Sequence, residues 1–574
     1  MFNQKRSFSL STTLLALLMG ASIFLAGQVW AAEPKYGGTL TVTGELVQYP
    51  PTSWDPAEWV WTSMIWTEPF LSTLQLGDFV KNGPRGTNTW HYQGYAGAPY
   101  HLVRGLLAES WTVPNDKTII FKIRKGIMWH EVPGVMASRE LTAEDVAYTW
   151  TRNKSAKGAW AHVVGTIDTV TATDKYTVEF KLNKWMPDWI NKIGDADYAT
   201  RVYPREVVEA GPGDWKNWRG IGTGPFLLDD FVEGSTVTYV RNPTYNIPTY
   251  DTATINGKEY KIPFVDRLVH SLNTDISSQI AALRTGKIDQ NDQITAEYYK
   301  SLKNTNPDMN FWTKTSNRYL MVGTRMDKKP FDDVRVRKAM AMALDRQAIL
   351  DSIYGGEGVI FNFPYSKGHG DSLFTPLEKL PKTTAEQFEY NPERAKQLLA
   401  EAGYPNGFKS TLNSFSQEPH GSLSEMVVAY WNNIGIDVSI ELHESTTFEA
   451  MLKEKTHAPI VINAKGGHID PFHILSLVYM ENDQFTNSSM FREHPEYAEF
   501  RKQFDQAYAS TDMDEVLELM KDLSQKVLGT VAYTQLPTPY VYHAAQPWVE
   551  NYYGSQILFF SHAAAHTWIN SDLK

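Results

Sequence analysis

A chain of 574 residues is too long for a single hydrophobic core, so at least two lobes are expected. With 42% hydrophobic, 21% charged and 13% aromatic residues it belongs with well-packed globular chains, which excludes the disordered and collagenous classes. The formal net charge of −11 argues against nucleic acid as a partner, and the lack of cysteine removes disulfides, thiol catalysis and a lipid-bearing cysteine anchor.

Lys5 and Arg6, then an apolar run from Leu14 to Leu25 and small residues at Val29 and Ala31, predict a secretory leader over 1–31, cut after Ala31. The run is shorter than the roughly 20 apolar residues a spanning helix needs. Thirteen of the eighteen tryptophans fall between Trp54 and Trp218, four of them in "SWDPAEWVWTSMIW". Indole is mostly core material, yet Trp59 and Trp61 lie in a loop beside Pro56, ahead of an apolar helix, where flat apolar faces are available to a ligand. Residues 76–107 are rich in glycine and aromatics without periodicity and read as a long loop or insertion.

"LTAEDVAYTW" opens a helix with Thr142 and Asp145 at capping-box spacing. "YTVEFKL" alternates Tyr176, Val178, Phe180 and Leu182 against polar neighbours, the pattern of a half-buried strand. "DDVRVRKAMAMAL" puts Val336, Ala339, Met340 and Ala343 on one helical stripe. "NPERAKQLLAEAG" has Asn391 as cap, Pro392 at the first helical position and Gly403 as stop. "IDVSIEL" predicts a second strand through Ile436, Val438, Ile440 and Leu442. The class is α/β, and no internal repeat is visible.

Four candidates for chemistry stand out. "GDSL" at 370–373 would make Ser372 the nucleophile of a secreted hydrolase, provided a base and an oxyanion hole stand beside it. "AKGGHIDPFHIL" at 464–475 offers His468, Asp470 and His473 as metal ligands, but Pro471 and the five-residue histidine spacing prevent a shared helix face. His562 and His566 have helical i, i+4 spacing without a third ligand nearby, and a satisfied pair is the simpler reading. HExxH, G-x-S-x-G and P-loop strings are all absent. No cofactor and no metal are expected.

Five segments in order, "LAESWTVPNDKTIIFKIRKGIMWH" (107–130), "LTAEDVAYTWTR" (141–152), "GTGPFLLDDFVEGSTVTYVRNPTYN" (222–246), "KPFDDVRVRKAMAMALDRQAIL" (329–350) and "YNPERAKQLLAEAGYPNGF" (390–408), closely resemble the signature of extracellular solute-binding protein family 5. These are the dipeptide-, oligopeptide- and nickel-binding components of ABC importers, and the resemblance runs from about Gly37 to the stretch 539–549. It implies a two-lobed periplasmic binding protein fold of the type II, cluster C-like kind. Lobe I would be 33–74, 183–312 and 538–574, its inserted subdomain 75–182, and lobe II 313–537, with crossovers near Thr313–Tyr319 and Gln535–Tyr540. It further implies a monomer in the periplasm, free of a lipid anchor, that catalyses nothing, captures a medium-sized organic solute between its lobes and delivers it to an ABC permease.

For the site, the resemblance selects the loop residues Trp59, Val60, Trp61 and Thr62, then Trp160, Arg325 just past the first crossover, and Tyr540 beside the second. "AKGGHIDPFHIL" falls where peptide-binding members carry an aspartate that pairs with the peptide α-amino group. Aligned on Asp470 and Pro471, that position is Gly467, with Lys465 and Gly466 beside it, although a shift of a few residues would return the role to Asp470. On this reading a plain peptide loses its amine anchor, and true oligopeptide or dipeptide binding is the alternative.

Overall fold

The computed structural model describes residues 33–44, 47, 49–77, 102–159, 161–194, 201–248, 250–316, 318–466, 470–480, 487–554 and 561–574. The expected leader and most of the 76–107 stretch lie outside the described residues. Among the described residues no helix is long and apolar enough to cross a membrane.

Two separate sheets divide the chain. The first has eight strands, ordered Phe226–Val232, Thr236–Arg241, Arg267–Ser271, Thr39–Thr43, Gln290–Ile294, Thr538–Ala545 and Asn310–Thr315, with Gly358–Val359 pairing onto Thr538–Ala545. Its central strand, Thr39–Thr43, is parallel to both neighbours, an arrangement that needs long connections rather than hairpins. We call the body around it lobe I. The second sheet, in lobe II, has five strands in the order Ile436–His443, Phe408–Phe415, Ile460–Gly466, Arg318–Thr324 and Tyr533–Gln535. A further four-stranded antiparallel sheet, from Ala108–Asn115 to Thr177–Leu182, shares one continuous apolar core with lobe I.

The alternation in 177–182 is realised as read, with Val178, Phe180 and Leu182 buried between two partner strands. The strand Ile436–His443 departs from its pattern: Ile436 and Val438 are buried but Leu442 is 43% exposed. This strand is the outermost of its sheet, so the far end of its apolar face extends past the lobe II core that takes in Ile436 and Val438. Local capping works as the sequence predicts. Asn391 accepts from the Arg394 amide at 2.9 Å at the head of Pro392–Glu401, and Asp145 accepts from the Thr142 amide at 2.9 Å at the head of Ala143–Lys154. The five-stranded sheet is covered on both faces. Leu320, Val322, Ile460 and Ile462 pack against helices Val334–Met342, Pro392–Glu401 and His420–Asn432, while Tyr319 and Met321 face helices Tyr497–Ala509 and Met513–Gly529.

Among the histidines buried in lobe I are His270, His543 and His562. His270 stands edge-on between Trp66 and Tyr239, with ring centroids 5.6 and 5.9 Å away. His543 Nδ1 is 3.4 Å from the Tyr552 hydroxyl, and His562 Nδ1 is 3.4 Å from that of Tyr245. Burial pushes their pKa values down to about 3, 3 and 4 respectively, so all three are neutral in the fold. The unfolded chain takes up protons at these sites near pH 6.5 while the folded chain does not, so stability is lost as pH falls below that value. Each imidazole accounts for up to about 2 kcal/mol at pH 5. Urea midpoints should therefore fall steeply from pH 7 to pH 5, and His543→Phe should flatten the slope; equal midpoints at the two pH values would show that these rings are not held neutral.

Candidate functional site

The loop entering helix Trp61–Thr67 is fixed by a carboxylate. Asp55 caps the short turn Pro56–Glu58 by accepting from the Ala57 amide at 3.0 Å. The same carboxylate receives two hydrogen bonds from Arg152, at 2.7 and 2.6 Å, and Arg152 also donates to the Tyr203 hydroxyl at 3.0 Å. Paired in this way, Arg152 has its pKa raised, chiefly by the hydrogen bonds to Asp55. One residue on, Asn153 accepts at its carbonyl from Trp59 Nε1 at 2.8 Å. Trp59 is only 3% exposed and adopts φ 56°, so its indole is a pin holding this turn to helix Ala143–Lys154. Gly158 lies against the same turn: a Cβ there would come within 2.7 Å of the Glu58 carbonyl oxygen. Val60 is half-buried and precedes the helix that Trp61 and Thr62 begin. Trp160 lies outside the described residues.

In lobe II, Lys465 and Gly466 end the strand Ile460–Gly466, opposite Tyr319 and Arg318. Gly467 and His468 lie outside the described residues. Asp470 is 3% exposed, and its Oδ1 accepts from the Phe472 amide at 2.8 Å, so the carboxylate closes a turn. Among the described residues no group of histidines and carboxylates has metal-holding geometry. His562 and His566 are both buried, 7% and 6% exposed. A residue that the sequence reading passed over is Asn463, two positions before Lys465. Its amide is 1% exposed and neither its oxygen nor its nitrogen is hydrogen-bonded. The signal was there, a carboxamide inside the otherwise apolar run "IVINA".

The chain passes between lobes twice, side by side. Asn310–Thr315 pairs with Thr538–Ala545 in lobe I, bringing Thr315 opposite Tyr540, and Arg318–Thr324 pairs with Tyr533–Gln535 in lobe II. The Tyr540 amide donates to the Glu357 carbonyl at 3.2 Å. Arg325, expected near a ligand, is used internally. It is 7% exposed, its Nε donates to Asp327 at 2.9 Å and Nη2 to the same carboxylate at 2.5 Å, and Nη1 donates to the Lys455 carbonyl at 2.7 Å. A guanidinium so satisfied has little left to offer a solute. Ser372 sits exposed on a turn, and the nearby His369 directs Nδ1 to Ser366, 3.1 Å from its amide and 3.2 Å from its hydroxyl.

Removing one side of the Asp55–Arg152 pair strands a partly buried charge. Arg152→Met should cost about 2 kcal/mol of stability, less than a fully buried pair would because Arg152 keeps some solvent contact. Denaturant unfolding checks this, and an unchanged midpoint would show that the loop is held by packing alone.

The family model described as "Bacterial extracellular solute-binding proteins, family 5 Middle" matches residues 103–485. The dipeptide-binding protein of Escherichia coli (strain K12) is 26% identical over 466 residues, which cover 76% of this chain and 80% of that protein. Heme-binding protein A of Haemophilus influenzae is 25% identical over 438 residues, 72% of this chain and 75% of that one. Among solved structures, HbpA2 from Haemophilus parasuis matches with a TM-score of 0.73 at 21% identity, covering 93% of this chain and 100% of the other, which establishes a shared two-lobed α/β fold. The matched family consists of non-enzymatic transport components, which leaves the Ser372 hydrolase reading unsupported. By the extent of the family match and the order of its sheets, the chain belongs to the bacterial extracellular solute-binding proteins of family 5.

Proposed function

We propose that this protein is exported, acts in the periplasm without a lipid anchor, and closes its lobes over a medium-sized organic solute that it hands to an ABC permease. Members of the family are transport components and not enzymes. The solute we propose does not depend on a free ammonium group held by a carboxylate; modified peptides, opine-like or anionic compounds and oligosaccharides all meet that description.

The observation that carries this reading is the state of Asp470. It belongs to the segment where the resemblance expects an amine-binding aspartate, yet it is buried and occupied with the Phe472 amide. The position aligned with that aspartate is Gly467, and Lys465 precedes it. Position 467 therefore carries no negative partner for a peptide ammonium, and the nearest charged residue before it in the sequence is basic, which discriminates against a free peptide amine. Dipeptide binding stays the second reading, favoured by the 26% identity to the E. coli dipeptide-binding protein.

Native mass spectrometry of protein purified without denaturation should reveal a non-covalent small molecule. Calorimetry with unmodified di- to pentapeptides should give Kd values above about 1 mM, which corresponds to at most about 0.4 kcal/mol of stabilisation at 1 mM peptide. Gly467→Asp should create measurable peptide binding. Micromolar binding of plain peptides by the unaltered protein would overturn the proposal in favour of the dipeptide reading.

A further inference from the structure

Where the chain returns from the four-stranded sheet to lobe I, segment 183–194 reaches lobe II at the end of helix Tyr497–Ala509. Trp185, 8% exposed, donates from Nε1 to the Ser510 carbonyl at 2.8 Å across this boundary. Ser510 ends the helix, so its carbonyl is one of those the helix cannot satisfy itself. Lys184 and Lys192 place their ammonium groups 5.7 and 5.9 Å from the centroid of the Tyr508 ring. Tyr508 packs against both the lobe I core and the helix-rich core of lobe II. Positive charge at the C-terminal end of a helix is also favoured by the helix dipole.

Lys192 is the centre of the contact. Its side chain is 12% exposed and pairs at 2.6 Å with Asp188, itself 2% exposed, within lobe I. Asp188 Oδ1 has no hydrogen-bond partner. Burial disfavours the charge on Lys192, but the Asp188 carboxylate, with a further contribution from the Asp470 carboxylate of lobe II, raises the lysine's pKa. Asp470 is the same carboxylate that the resemblance made a candidate for gripping a solute ammonium, and here the ammonium in its field belongs to the protein. On separation of the lobes the Lys192–Asp188 pair would persist and become hydrated, whereas the Trp185–Ser510 bond and the contacts to Tyr508 would be lost.

We infer that Trp185, Lys184 and Lys192 on lobe I and Tyr508 and Ser510 on lobe II form a clasp made only in the closed form. It gives the closed form standing population before any solute enters. The clasp is independent of which solute binds, so its test and the peptide calorimetry fail separately.

The chain has no cysteine, so a spin-label pair introduced by Val232→Cys in lobe I and Leu442→Cys in lobe II, both at exposed positions, is unique. Protein stripped of solute by unfolding and refolding, then measured by pulsed electron spin resonance, should contain a distinct short-distance population. Trp185→Phe, and separately the charge-neutral pair Asp188→Asn with Lys192→Met, should each lower the closed-to-open ratio roughly five-fold. The double variant avoids leaving Asp188 buried and unpaired, and circular dichroism at 222 nm establishes that each variant folds. Distance distributions identical across the unaltered protein and both variants, or an unaltered protein found only open, would overturn the clasp.

Discussion

Two neighbouring strand pairs carry the chain between the sheets, and the connection of one lobe to the other depends on their staying paired. Thr315 faces Tyr540 on one side of the boundary and Met321 faces Gln535 on the other, with the Leu536 amide donating to the Leu320 carbonyl at 2.9 Å between them. The brace on this passage is Arg346. Its Nε donates to the Gln535 carbonyl at 3.0 Å and its Nη1 to the Ala341 carbonyl at 3.2 Å. Burial lowers its pKa to about 10, which still leaves it fully charged near neutrality. Carbonyl dipoles thus hold a buried cation without a carboxylate, and that cation ties the return strand to the helices of lobe II. Few residues on either crossing lie outside the two sheets, so the closure proposed above would bend the chain only there.

Charge at the boundary is arranged by subtraction. A carboxylate that faced a solute ammonium would reward any free peptide; on the proposed reading, turning Asp470 onto the Phe472 amide withholds that reward without removing the residue. Specificity is a difference of affinities, and withholding a contact from one solute class separates it from another as effectively as adding one. On the proposed reading a solute is then gripped by apolar surface and neutral hydrogen-bonding groups, contacts that gain strength when closure excludes water.

Much of the fold was legible because the signals are local. Asn391 before Pro392, or Thr142 three residues ahead of Asp145, needs nothing beyond one turn of chain, and the alternation through Val178, Phe180 and Leu182 needs only a strand with one apolar face. The five family segments fixed the order of those elements. Less was legible where a residue's fate hangs on a partner far along the chain. Trp59 has the same composition around it whether its indole faces a solute or the Asn153 carbonyl, ninety-four residues away. Arg325 lies two residues from the carboxylate of Asp327, which a reader can see, but its burial under the Lys455 carbonyl, 130 residues on, is invisible. The pairing of Trp185 with Ser510 spans 325 residues and leaves no local pattern at all.

The size of any closing bias is bounded from both sides by population arithmetic. To take lobes from one part closed in a hundred to ninety-nine, a solute must prefer the closed form by about 10⁴, or roughly 5.5 kcal/mol. If contacts such as those at Tyr508 bring the empty protein to equal populations, the solute needs only about a hundred-fold preference, roughly 2.7 kcal/mol. That is within reach of one buried aromatic face and two or three hydrogen bonds, and it suits a cleft with no ammonium anchor. A stronger bias would work against transport, because an empty closed protein would present the permease with the same shape as a loaded one. The contacts seen are of the strength this compromise asks for: one neutral hydrogen bond at Ser510 and two ammonium groups at nearly 6 Å from one ring, with the shortest ion pair, Lys192 to Asp188, kept inside a single lobe where it does not resist opening.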